Sequence, residues 1–189
     1  SLGNVRLIHD LTKQAPGEAI RWALLSAHYR APLDWTGRLL DQARNNLDKI
    51  YGALRRAKDV AVDPAMVPAA GVLEALEDDL NTPRAIAELF ALAKTLETSL
   101  DLEERSRAKT GLLAGGALMG VLQADPEAWF EGGADDDLKA KIDDLLTQRD
   151  TARRDKDWPT ADRIRAELDA LNVVVMDGPA GAVWRFREG

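Results

Sequence analysis

Asp155-Lys156-Asp157-Trp158-Pro159-Thr160-Ala161-Asp162, then Val173-Val174-Val175-Met176-Asp177-Gly178-Pro179, then Trp184-Arg185, carry the plainest structural signal in the sequence. A helix opening on Trp158 runs into two short β-branched runs around a Gly-Pro turn, which spells helix followed by hairpin. The chemistry of the same residues is specific. Indole faces stack on unpaired bases, carboxylates accept hydrogen bonds from base N–H groups, and arginine reaches phosphates or base oxygens. A plainer account stands beside it. Both tryptophans can close a small core, with Asp157 a helix cap and Asp162 a surface charge.

Upstream of this tail the pattern is helical. Leu7, Ile8 and Leu11 suggest a short helix, and Pro16-Gly17 separates it from a second over about 18–29. Asp34 or Thr36 can cap the next, which runs to about 58 with Leu39, Leu40, Ala43, Leu47, Ile50, Tyr51 and Leu54 on one stripe. Pro64 and Pro68 mark a loop. Helices over about 70–80, 83–100 (with Thr82 as cap) and 102–122 follow. Gly115, Gly116 and Gly120 read as close packing or a bend, because no strand precedes them and no Lys-Ser/Thr follows. Pro126, Gly132-Gly133 and Asp135-Asp136-Asp137 mark the best boundary. The expectation is a mainly α fold: an antiparallel helical bundle over 1–123, a linker over 124–135, and a small α+β module over 136–189 built of two helices and a β-hairpin.

Composition narrows the function. The 189 residues carry a net charge of −7, which argues against a non-specific polyanion binder and leaves room for a local basic cluster at Arg149, Arg153, Arg154 and Lys156. Cysteine is absent, which removes disulfides and thiolate ligands and fits the cytosol. No apolar run is long enough to span a membrane. His9 and His28 have no patterned partners, so neither a catalytic site nor a metal site is expected. Asp78 and Asp79 can bind a cation, but charge ahead of a helix N-terminus is the simpler account.

Several motifs together resemble the cysteinyl-tRNA synthetase family. They are Leu2-Gly3-Asn4, Gly17-Glu18-Ala19-Ile20-Arg21, Leu24 to Arg30, Tyr51-Gly52-Ala53-Leu54-Arg55, Asp78 to Pro83, Gln123 to Ala128, and the tail from Lys156 to Arg185. The resemblance runs the length of the chain. It implies the helical (DALR) domain and the anticodon-binding module of that family, with Ser1 the last residue of the class I signature loop or a tag remnant. The family's catalytic domain, with its ATP and zinc, would precede Ser1, so no cofactor and no catalytic residue are expected in these 189 residues. The partners it implies are tRNA-Cys and that catalytic domain, in the cytoplasm, with no membrane and no DNA.

Carried over by motif position, Arg153, Trp158, Asp162 and Asp177 would read the anticodon guanine-cytosine-adenine, with Arg185 a weaker candidate and Trp184 either core or RNA-facing. Trp158 and Asp162 are four residues apart and so share a helix face. Two other readings compete: a helical protein-interaction module, and a fragment of the related cysteine ligase of mycothiol synthesis. The latter family lacks an anticodon reader, so the tail argues against it.

Overall fold

A computed structural model describes residues 7–131, 136–178 and 181–186, and the chain divides into two compact units, Ser1–Ala124 and Asp125–Gly189.

The first unit is helical among its described residues: α1 (Ile8–Leu11), α2 (Gly17–Leu25), α3 (Gly37–Arg56), α4 (Ala70–Glu77), α5 (Thr82–Thr98) and α6 (Leu102–Met119). The spacing of apolar residues on α3 buries Leu40, Ala43, Leu47, Ile50, Tyr51 and Leu54, while Leu39, expected on the same stripe, is only half-buried. α5 packs on α3, α4 and α6, and Trp22 of α2 meets Phe90 of α5 edge to face at 6.0 Å. The glycines of α6 serve packing. A Cβ on Gly115 would lie 3.1 Å from Leu89 and 3.2 Å from Val72, so α6 approaches α5 and α4 closely enough that a larger residue would push these side chains aside.

The ends of these helices are set by local hydrogen bonds. Thr36 caps α3, its Oγ1 accepting from Leu39 N at 3.1 Å. Asn81 caps α5 through Arg84 N at 3.2 Å, so the expected cap at Thr82 is displaced by one residue and Pro83 sits in the first turn, where its missing N–H costs nothing. α2 stops at Leu25, short of the expected Tyr29, because Ser26, His28 and Tyr29 form other hydrogen bonds. Ser26 Oγ donates to Ala23 O at 2.7 Å, and Tyr29 Oη donates to Asp79 Oδ1 at 2.7 Å. Asp79 also pairs with Arg30 at 3.1 Å and Asp78 with Arg84 at 3.7 Å, so both carboxylates face cationic side chains of the fold.

Two polar devices tie down irregular backbone. Lys109 Nζ donates to the carbonyls of Ala57, Lys58 and Val60, and Thr110 Oγ1 accepts from Asp63 N, which fixes the Pro64–Pro68 loop against α6. Desolvation there lowers the Lys109 pKa. The second device lies where α6 ends. Gly120 is left-handed (φ 66°), with Val121 N donating to Gly116 O and Gly120 N to Ala117 O, a Schellman motif. Beyond it the Glu18 carboxylate accepts from Leu122 N at 2.8 Å and from Tyr51 Oη at 2.9 Å, while Tyr51 Oη accepts from Ala124 N at 3.0 Å.

The second unit contains α7 (Pro126–Glu131), α8 (Asp136–Arg154), α9 (Trp158–Ala170), β1 (Val173–Gly178) and β2 (Gly181–Phe186). The expectation of a linker over 124–135 is corrected by α7. Asp125 accepts hydrogen bonds from Glu127 N and Ala128 N, Phe130 is buried, and α7 packs on β2. The strands form an antiparallel hairpin with Val173 opposite Phe186 and Val175 opposite Trp184. α8 packs on α9 and α9 on β1, around a core of Ile142, Leu145, Leu146, Ile164, Leu168, Val173 and Trp184.

Candidate nucleic-acid interface

The candidate surface is built by one tight turn. At the end of α8 Lys156 adopts a left-handed conformation (φ 59°). Asp157 N donates to Ala152 O at 2.8 Å and Lys156 N to Arg153 O at 3.2 Å, again a Schellman motif, here without glycine. The next helix begins at once. Asp157 is its cap, with its side chain accepting from Thr160 N at 3.2 Å, and that hydrogen bond holds its carboxyl below the usual carboxylate range. Pro159 occupies the first turn of α9, as its fixed φ permits.

This geometry brings the basic end of α8 beside the aromatic start of α9. Arg153 and Arg154 occupy the last turn of α8, where positive charge also suits the carbonyl end of the helix, and they line a shallow depression with Asp150. Trp158 opens α9 and is 57% exposed. Its neighbours Ala161, Ile164 and Leu168 turn the other edge of α9 into the core. Asp162, one turn on from Trp158, is exposed and makes no hydrogen bond or ion pair among the described residues.

Trp184 is settled differently. It is 4% exposed, packs in the core, stands edge to face with Phe186 at 5.4 Å, and donates from Nε1 to Asp143 Oδ1 at 3.1 Å. Of the two alternatives, core is the observed one. Nothing in the sequence marked Asp143 as its partner, because the two meet across 41 residues.

The hairpin candidates are placed by backbone alone. Asp177 lies opposite Ala182 in register and Arg185 opposite Val174, while their side chains lie outside the described residues, as does Ser1. The structure thus brings Arg153, Trp158 and Asp162 to one turn and its following helix, and sets Asp177 and Arg185 on the hairpin of the same unit.

Comparison with known proteins adds the family. Residues 135–185 match the cysteinyl-tRNA ligase anticodon binding domain, and residues 71–123 match the DALR domain. The chain is 59% identical, over its whole length, to the cysteine–tRNA ligase of Caulobacter vibrioides, of which it covers 41%. Over 98% of its length it is 56% identical to that of Maricaulis maris, covering 40%, and 50% identical to that of Rhodospirillum rubrum, covering 41%. The chain spans about two fifths of the length of the curated relatives it matches, at their C-terminal side. The chain belongs to the cysteinyl-tRNA ligase family and corresponds to the C-terminal DALR and anticodon-binding portion of its members.

Proposed function

We propose that this chain recognises tRNA-Cys, as the tRNA-binding part of a ligase that joins cysteine to that tRNA at the expense of ATP. The second unit reads the anticodon and the helical unit lies along the inner arm. One observation carries the reading: of the two tail tryptophans, Trp184 is spent on the core while Trp158 is left exposed one turn from the exposed Asp162. A bare indole at the head of α9, with a carboxylate one helical turn on and Arg153 in the last turn of α8 just before it, offers a stacking face, a base-edge acceptor and a cation in one short stretch of chain.

In this proposal a base stacks on Trp158 and turns its polar edge toward Asp162. Guanine presents two adjacent N–H donors and cytosine an amino group, so a carboxylate suits either and suits uracil poorly. Arg153 meets a phosphate or base oxygen, and Asp177 with Arg185 completes the set from the hairpin. Among the described residues no group of three or more histidine, aspartate or glutamate side chains stands together to hold a metal ion.

The test is binding of the 189-residue chain to tRNA-Cys, to other tRNAs and to a tRNA-Cys transcript with an exchanged anticodon. Preference for tRNA-Cys that falls with the exchange supports the reading. Equal binding to all of them, or none to any, rejects it in favour of a protein-interaction module or the mycothiol-type ligase.

A further inference from the structure

Resting on that reading, we propose that Arg165 holds a backbone phosphate of the strand whose base stacks on Trp158. At about 100° per residue, Trp158, Asp162 and Arg165 fall within roughly 60° of one another on α9. They form one stripe beside the buried edge of Ala161, Ile164 and Leu168. Arg165 is exposed, and it makes no hydrogen bond or ion pair among the described residues.

That lack of a partner is unexpected locally. Asp162 stands three residues before Arg165 and Asp169 four residues after it, the two spacings at which helical ion pairs form. Other charges of this helix pair engage the fold: Glu167 meets Lys141 at 3.5 Å, and Arg154 donates to Thr151 Oγ1 at 3.2 Å. In a chain of net charge −7, a guanidinium left open beside an exposed indole and carboxylate is placed for an external anion.

The spacing suits a nucleic-acid strand. Arg165 lies about 10 Å along the helix axis from Trp158, at ~1.5 Å per residue. Successive phosphates of a stacked strand advance about 3.4 Å each. A strand running along α9 from a base on Trp158 therefore carries a phosphate past Arg165 within about three steps. The guanidinium fork takes phosphate oxygens in a bidentate manner. Asp162 between them meets the base edge, so the stripe alternates stacking, edge and backbone contacts.

The test compares Arg165→Ala with Arg163→Ala in the full 189-residue chain. Arg163 is also exposed on α9 but lies off the stripe. Affinity for tRNA-Cys and for its anticodon-exchanged transcript is followed by fluorescence anisotropy from about 50 to 300 mM salt, the range in which phosphate contacts register. The expected result is that Arg165→Ala weakens both RNAs by the same factor and makes the slope of log K against log salt shallower by about 0.7, the share of one phosphate on a single strand. Arg165→Lys, which keeps the charge, should keep the slope, and Arg163→Ala should leave it unchanged. An unchanged slope for Arg165→Ala, or an equal change for Arg163→Ala, overturns the assignment. If Trp158→Ala still weakens binding in that case, the assignment fails alone. If Trp158→Ala is also without effect, the tRNA reading fails with it.

Discussion

Trp184 Nε1 donates to Asp143 Oδ1 at 3.1 Å, which ties the hairpin to α8 at the centre of the second unit. The relationship decides for the core between the two alternatives that the sequence left open for Trp184, and sets it apart from the exposed Trp158. Trp184→Ala should destabilise the second unit by about 3–5 kcal/mol, the range for emptying a buried aromatic site. Trp158→Ala should stay within about 0.5 kcal/mol of the parent, as exposed substitutions do. Urea denaturation followed by circular dichroism checks both, and equal losses in the two variants would contradict the division of roles.

Tyr51 makes a pH-dependent contribution to the first unit. Burial raises its pKa above the ordinary value near 10, with the Glu18 charge adding to the effect. A raised pKa means that the folded state keeps a proton that the unfolded state gives up. The stability is therefore fully present below about pH 10 and falls as pH rises past it. Tyr51→Phe should lose about 1–3 kcal/mol at neutral pH, because Ala124 N–H and Glu18 lose a buried partner. It should then show a flatter stability profile than the parent between about pH 9 and 11, across the ordinary tyrosine pKa. Parallel profiles would mean that Tyr51 ionises freely in the folded protein.

Stacking and edge recognition should separate in mutants. Trp158→Ala should weaken tRNA binding by about 1–3 kcal/mol, similarly for every anticodon, because each base has a π-face. Asp162→Ala and Asp177→Ala should instead narrow the gap between the matched and the exchanged anticodon, each by roughly 1–3 kcal/mol. Titrations at one fixed salt concentration distinguish the patterns. A Trp158 variant that changes preference without changing affinity would reverse the assignment.

The polypeptide of these 189 residues should not catalyse cysteine-dependent pyrophosphate exchange. No nucleotide-binding glycine motif follows a strand in its sequence, and the family's activation motifs do not occur in it. Exchange above background in a pure preparation would contradict this expectation.

The helical pattern of the first unit was legible because its stripes are long and regular, as on α3 from Leu40 to Leu54. Boundaries were less so. The cap of α5 falls on Asn81, whose side chain accepts from Arg84 N, and α2 ends at Leu25, after which Ser26 Oγ donates to Ala23 O and Tyr29 Oη reaches Asp79, 50 residues away. α7 was hidden because Pro126 and the nearby glycines read as loop, whereas its burial depends on β2, far along the chain. In the candidate site, the four-residue spacing of Trp158 and Asp162 was enough to put them on one face of α9, whereas their proposed RNA roles came from the resemblance. The left-handed Lys156 that places Trp158 at the turn was not legible, since lysine carries no turn signal and the conformation follows from two backbone hydrogen bonds. The fate of Trp184 needed the fold, because its partner Asp143 lies on another element.

The most direct test of anticodon reading is a competition between tRNA-Cys and an otherwise identical transcript with an exchanged anticodon, run at one salt concentration against the parent chain and Asp162→Ala. The parent should prefer tRNA-Cys, and Asp162→Ala should lose roughly 1–3 kcal/mol of that preference while remaining folded. A parent chain that binds both transcripts equally, or an Asp162→Ala chain with undiminished preference, would contradict the reading of α9 as the base-recognition helix.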